Sequence, residues 1–175
     1  MCLKKLSMNK AIVTGTTSGL GLEIAKHLIE NGWKVYGFAR GSSKIKHHYY
    51  QHIQVDITNS ELIQILVEHI KDDIDLLVNN SAVFEYQSFK KMQIDDIDRI
   101  IDTNLKGAIY VTKHVLPLMK QPSRIIFINS VAGLEELENQ SIYCASKYGL
   151  TGFAGVLGKE LQSKKIKVTS IHPGG

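Results

Sequence analysis

The sequence predicts a doubly wound α/β domain with a parallel sheet, and three observations carry that reading. Short apolar runs alternate along the chain with segments whose apolar residues recur at helical spacing, the pattern of strands joined by helical crossovers. A glycine-rich stretch, Thr14 to Gly21, lies between the first such run and the first such helix, where α/β folds place a ligand-binding turn. The run Arg124 to Ile128 (RIIFI) is almost wholly apolar, as a strand covered on both faces is.

Taken in order, Ala11 to Val13 is the first strand, and Leu20, Ile24, Ala25 and Leu28 mark a helix that Asn31-Gly32 stops. Lys34 to Phe38 (KVYGF) and His52 to Val55 read as the second and third strands, the latter entering a turn at Asp56-Ile57-Thr58. Leu62, Ile65, Leu66, His69 and Ile70 set the next helix. Ile74 to Val78 is a fourth strand closed by Asn79-Asn80. A long helix follows from Leu105, Ala108, Ile109, Thr112, Val115, Leu116 and Met119, ending near Pro122. Arg124 to Ile128 is the fifth strand. Leu150, Phe153, Ala154, Leu157 and Leu161 give the last helix, and Lys167 to Ile171 the sixth strand.

The 175 residues form one domain, 1–175, without repeats, low-complexity runs or a linker. Its 21 Lys plus Arg exceed 17 Asp plus Glu by four, and these charges are scattered rather than gathered into a stripe, which argues against nucleic acid as a partner. No stretch is apolar enough for a membrane span or a secretory signal, and Cys2 and Cys144 suit neither a disulfide framework nor zinc. The reading is a cytoplasmic protein with no metal. The run His47-His48-Tyr49-Tyr50-Gln51-His52 lacks a carboxylate at ligand spacing, and Cys144 reads as a small buried helix residue.

Chemistry concentrates at three places. In Thr14-Gly15-Thr16-Thr17-Ser18-Gly19-Leu20-Gly21, glycine lets the backbone turn and approach a pyrophosphate, while the free N–H groups opening the helix favour negative charge. After the second strand, where a carboxylate would bind the ribose hydroxyls of NAD, the chain has Ala39 and Arg40, and a guanidinium suits a phosphate, so NADP(H) is favoured over NAD(H). Ser42 and Ser43 are candidates for further bonds to that phosphate. Tyr143 and Lys147 share one helix face at i, i+4 spacing, and a neighbouring ammonium favours the phenolate that a proton-exchanging tyrosine requires. Ser130 follows the fifth strand at the edge where a substrate carbonyl would rest.

With TGTTSGLG, Asp56-Ile57-Thr58, Asn79-Asn80-Ser81-Ala82, Asn104 in NLKG, Ser130 in NSVAG, YCASK from Tyr143 to Lys147 and HPGG from His172, the chain resembles the short-chain dehydrogenase/reductase family in order and spacing. The resemblance runs from about Lys10 to Gly175 and implies a Rossmann-like, three-layer sheet with six of an expected seven strands. It implies hydride transfer between NAD(P) and a carbonyl/alcohol substrate. Tyr143 would be general acid and base, Lys147 would lower its pKa and hold the nicotinamide ribose, and Ser130 would bond the reacting oxygen. Asn104 would support a water-linked relay to Lys147. Gly15, Thr17, Ser18, Gly19, Leu20, Gly21, Arg40, Asp56, Ile57, Asn80, Tyr143, Lys147, Pro173 and Gly174 would bind the dinucleotide. Helices 104–120 and 143–161 resemble the family's dimer-forming pair, implying a homodimer or homotetramer.

Three departures qualify the resemblance. Ser81-Ala82 stand where the family has Ala-Gly, so the added Cβ at Ala82 crowds a backbone that in the family is free to approach the cofactor, a change expected to be tolerated. Leu134 to Gln140 carries three glutamates beside the substrate mouth, read as a solvated acidic loop. Family members also continue past the Pro-Gly after the sixth strand, so the chain reads as C-terminally truncated, with Lys167 to Ile171 an exposed edge; Met8 is an alternative start to Met1. The alternative function is a dinucleotide-binding fragment without turnover. A sugar-nucleotide epimerase would show GxxGxxG, which the spacing of Gly15, Gly19 and Gly21 does not fit.

Overall fold

The computed structural model describes residues 8–174, so Cys2, Gly175 and the residues that separate Met1 from Met8 lie outside the described part. Six parallel strands form one sheet: β1 (Lys10–Thr14), β2 (Lys34–Ala39), β3 (Tyr50–Gln54), β4 (Ile74–Asn79), β5 (Met119–Ile128) and β6 (Ile166–Ile171). Their spatial order is β3-β2-β1-β4-β5-β6, so the chain winds outward from β1 in one direction and then returns to its other side. That reversal opens a crevice past the carboxyl ends of β1 and β4.

Alternation along the strands builds two cores. Ile12, Leu77, Ile125 and Phe127 point to the face covered by α2 (Ser60–Glu68), α4 (Ala108–Val115) and α5 (Ser141–Glu160). Ala11, Val13, Leu76 and Val78 point to the opposite face, where α1 (Gly19–Glu30) supplies Ala25 and Ile29. The three-layer α/β architecture is therefore as read from the sequence, with α1 as the one helix of that second face among the described residues. At the amino ends of the strands, the Lys34 ammonium lies 2.8 Å from Asp72 Oδ2 and the Lys10 ammonium 3.3 Å from Oδ1, pinning β1 and β2 to the turn before β4.

The long central helix differs from its expectation at both ends. It is preceded by α3 (Ile94–Ile101), which the sequence reading did not include, and by a π-helical segment, Asp102–Gly107, that joins α3 to α4. It ends at Val115 rather than near Pro122, because Pro117 opens a short 3-10 turn, Leu116–Leu118, and a proline ring cannot sit within a continuing α-helix. Met119 already starts β5. Pro122 is accommodated there because the β4–β5 register shifts between Ile74 and Leu76, leaving the extra β5 residues outside the ladder. Among the described residues β6 pairs with β5 alone and lies at one edge of the sheet.

Candidate active site

A cleft of about 450 Å³ opens past the ends of β1, β2 and β4, lined by Gly15, Thr17, Ser18, Arg40, Asp56, Ile57, Asn80 and Ala82 among others. Its floor is the turn into α1. Gly15 sits at φ 75°, and its N–H donates to the Phe38 carbonyl at 2.8 Å. A Cβ on Gly21 would fall 2.4 Å from the Gly15 carbonyl oxygen, so the start of α1 packs flat on the turn only with glycine there. Gly19, at φ 54°, has nothing within 4 Å of a would-be Cβ. The Ser18 side chain makes no capping bond to α1, so the first N–H groups of the helix are not satisfied by it. An open space above glycines, bordered by uncapped donors, fits the pyrophosphate of a dinucleotide.

Not every residue of that turn faces the cleft. Leu20 is 51% exposed and lies instead beside Ile24, Val78 and Ile128 in an apolar groove behind the sheet. Asn80 borders the cleft but is also its brace: its N–H donates to Thr14 Oγ1 and its Nδ2 to the Thr14 carbonyl, both at 2.9 Å. Thr14 Oγ1 also accepts from Ser81 N–H, which ties the ends of β1 and β4 together.

Arg40 stands at the end of β2 with its side chain 63% exposed and Nη1 3.9 Å from Asp56 Oδ2. Asp56 Oδ1 accepts from the Thr58 N–H and hydroxyl, both at 2.9 Å, which fixes the turn carrying Ile57. Ser42 and Ser43 do not line the cleft, and Ser43 Oγ accepts from Ile45 N–H at 3.0 Å in a local turn.

Tyr143 and Lys147 occupy the first two turns of α5, with the Lys147 ammonium 5.5 Å from the Tyr143 ring centroid. Lys147 is 2% exposed, and burial brings its pKa down to about 8. Its ammonium donates to the Ile128 carbonyl at 3.3 Å, tying α5 to the end of β5. The Tyr143 ring meets Phe84 edge to face, with centroids 4.9 Å apart. Ser130 follows β5 after one residue, Asn129. Its Oγ accepts from Ala132 N–H at 3.2 Å and its carbonyl from His172 Nδ1 at 2.9 Å, while Val131 N–H donates to the Pro173 carbonyl at 3.2 Å. The segment after β6, with Pro173 and Gly174, is thus moored beside Ser130.

Asn104 lies in the π-helical segment, buried, with both ends of its carboxamide engaged. Oδ1 accepts from Val83 N–H at 2.7 Å, and Nδ2 donates to the Val83 carbonyl at 2.8 Å and to Ser146 Oγ at 3.2 Å. The side chain therefore fixes the loop that carries Phe84 and fastens it to α5 beside Lys147.

Two contributors escaped the sequence reading. Thr14 organises the crevice, as above. Asn129 Nδ2 reaches Thr151 Oγ1 at 2.9 Å and the Lys147 carbonyl at 3.2 Å, holding α5 against the end of β5. The available signal was a polar residue closing an apolar strand run. Cys144 is buried in α5 as expected. Among the described residues, no group of three or more His, Cys, Asp or Glu side chains is arranged to hold a metal ion, and no helix is long and apolar enough to cross a membrane.

The family model described as short chain dehydrogenase matches residues 9–175. The 3-oxoacyl-acyl-carrier-protein reductase FabG of Haemophilus influenzae is 35% identical over 175 residues, covering 94% of this chain and 72% of that protein. Among solved structures, the closed form of serine dehydrogenase complexed with NADP+ superposes with a TM-score of 0.89 at 30% identity, covering 94% of this chain and 71% of that one. A 4-hydroxyisoleucine dehydrogenase complexed with NADH and succinate gives 0.87 at 26% identity, covering 94% and 78%. The chain thus spans about three quarters of the length of the curated relatives it matches, 72% and 76% for two of them.

Proposed function

The chain belongs to the short chain dehydrogenase family, a family of NAD(P)-dependent oxidoreductases, and on that premise we propose that it interconverts a carbonyl and an alcohol with NADP(H). One observation carries the reading: Tyr143 and the buried Lys147 stand one turn apart on α5, and Lys147 Nζ donates to the Ile128 carbonyl, two residues before Ser130, past the same carboxyl ends of the strands as the glycine-lined cleft. The bound nicotinamide supplies or accepts the hydride. Tyr143 Oη donates its proton to the carbonyl oxygen in reduction and removes it in oxidation. The Lys147 cation favours the phenolate that this exchange leaves behind, and with its pKa at about 8 it is mostly charged at pH 7. The Ser130 hydroxyl donates to the substrate oxygen as negative charge grows there, while still accepting from Ala132 N–H. Asn104 keeps Phe84 against Tyr143 and so sets the wall of the substrate site.

The preference for NADP(H) rests on Arg40 at the rim of the cleft, where a guanidinium pairs with a ribose phosphate and where no carboxylate ends β2. Of the solved relatives, one is a complex with NADP+ and another with NADH, so the preference stands on Arg40 alone. For the assembly, α5 presents Gly152, Gly155 and Val156 outward, small residues that let a second copy pack closely, which supports a homo-oligomer through α4 and α5. Cys144 as a buried free thiol suits a cytoplasmic setting.

The direct test is Tyr143→Phe, assayed by NADPH consumption over a panel of ketones, aldehydes and quinones. Loss of general acid catalysis lowers kcat about a hundredfold or more with NADPH binding intact; a variant as fast as the wild type refutes the assignment. A second reading, dinucleotide binding without turnover, is favoured by one feature: the cleft is lined by none of Asn104, Ser130, Tyr143 and Lys147. It gains if the wild-type chain binds NADPH and turns over nothing in the panel.

A further inference from the structure

The third strand carries a polar ladder that no part of the catalytic reading uses. Tyr50, His52 and Gln54 alternate along β3 and so share one face of the strand. Each reaches a different part of the nucleotide cleft. Tyr50 Oη lies 2.9 Å from Thr16 Oγ1, in the glycine-rich turn, where Thr16 is wholly buried. His52 Nε2 lies 2.9 Å from the Gly41 carbonyl, and Gln54 Nε2 donates to the Arg40 carbonyl at 2.9 Å. The two carbonyls belong to Arg40 and its successor, so adjoining rungs of β3 grip the backbone on the C-terminal side of that side chain.

The direction of the bonds follows from donor and acceptor chemistry. A carbonyl oxygen only accepts, so His52 Nε2 carries its hydrogen toward Gly41. In the neutral ring Nδ1 then accepts, and Tyr50 Oη, 3.4 Å away, is the donor placed to serve it. That leaves Tyr50 Oη to accept from the Thr16 hydroxyl. The glycine-rich turn, β3 and the Arg40–Gly41 segment are thus joined by one ordered run of bonds. It exists only because position 37 is glycine: a Cβ there would lie 2.1 Å from Tyr50 Oη and 2.6 Å from Thr16 Oγ1.

We propose that His52 and Gln54, with Tyr50 behind them, are positioning residues that set cofactor selectivity by holding the Arg40–Gly41 backbone so that the guanidinium meets the ribose phosphate of NADP(H). The inference rests on the reading of Arg40 as the phosphate ligand. Arg40 is largely exposed, and its one ion-pair partner among the described residues, Asp56, is at 3.9 Å. Its placement therefore depends on its own backbone, which an end-of-strand loop alone would leave free to swing. NADH lacks the phosphate that Arg40 would meet, so loss of the clamp falls mainly on NADPH.

The test is a set of dissociation constants for NADPH and NADH, measured by fluorescence titration on the full chain. The variants are Arg40→Ala, Gln54→Ala, His52→Ala with Gln54→Ala, His52→Gln, and the triple variant joining Arg40→Ala to both clamp substitutions. Gln54 is exposed, so its single variant preserves the fold, and circular dichroism checks the others. Loss of the two clamp side chains weakens NADPH about tenfold and leaves NADH within about twofold, while His52→Gln, which still donates to Gly41, retains most of the affinity. With Arg40 already alanine, removing the clamp costs nothing further, because the two act on one contact. Equal weakening of NADPH and NADH, or an undiminished loss on top of Arg40→Ala, overturns the proposal while Arg40 stands. If Arg40→Ala itself leaves the NADPH to NADH ratio unchanged, the phosphate reading fails first and the clamp falls with it.

Discussion

Lys147 shows how one side chain reads differently before and after its surroundings are known. Its place four residues after Tyr143 is visible in the sequence, and so is the positive charge it brings to the tyrosine. Its burial at 2% exposure is not, because that depends on β5 and α5 closing over it. Burial depresses its pKa to about 8 from an ordinary lysine value, so the unfolded chain holds a proton that the folded one releases between those limits. Folding is therefore opposed by the buried charge below about pH 8 and gains stability as pH rises toward the unfolded value. Urea denaturation at pH 7 and pH 9, compared with Lys147→Met, checks this. The wild type gains about 1 kcal/mol relative to the variant over that interval, and parallel profiles would count against a desolvated ammonium. Thr14 and Asn129 went unread for the opposite reason. Their chemistry is a set of bonds to residues distant in sequence, Thr14 to Asn80 and Asn129 to Thr151, which only the topology brings near.

Among the elements, strands and helices with strong periodicity were legible to within a residue or two, as β2 and β4 show. The missed parts are where a local signal was overridden. α3 carries Ile94, Ile97 and Ile100 on one face, yet its isoleucines are interleaved with aspartates and an arginine, and the segment reads as polar. The π-helical turn after it has no composition of its own, since it comes from fitting Asn104 against Val83 on one side and Ser146 on the other. A wider turn at this point places the carboxamide where a loop backbone takes both of its ends, a use of π-helical geometry found at functional sites. Asn104→Ala leaves the Val83 N–H and carbonyl without their buried partner, so stability falls by about 2–3 kcal/mol, measured by urea denaturation. Turnover falls with it because Phe84 is released from Tyr143, and NADPH affinity falls less, since Val83 is one wall of the cleft while Gly15, Thr17 and Ser18 on its other side are untouched. A stability loss below about 0.5 kcal/mol would show that water replaces the side chain without cost.

At the scale of the whole molecule, the two faces of the sheet are covered unequally, and this shapes how the chain meets other copies. Three helices close one face, whereas α1 leaves an apolar groove of about 430 Å³ where Leu20, Ile24 and Leu28 border Leu76, Val78, Ile126, Ile128 and Ile171. Beside it β6 bonds to β5 only, and Ile171 at its end is 44% exposed. A strand edge next to an apolar face is a template for pairing with further backbone. A polypeptide of residues 1–175, prepared as such, presents this side to solvent and is expected to associate through it in a concentration-dependent way. A lysine on an edge strand opposes such stacking by charge repulsion and desolvation. In sedimentation velocity of that polypeptide, Ile171→Lys removes the large, heterogeneous species, and NADPH binding survives because the nucleotide cleft is lined by other residues. Should the heterogeneous species persist in Ile171→Lys, the association does not run through the β6 edge, and the apolar groove beside α1 becomes the surface that drives it.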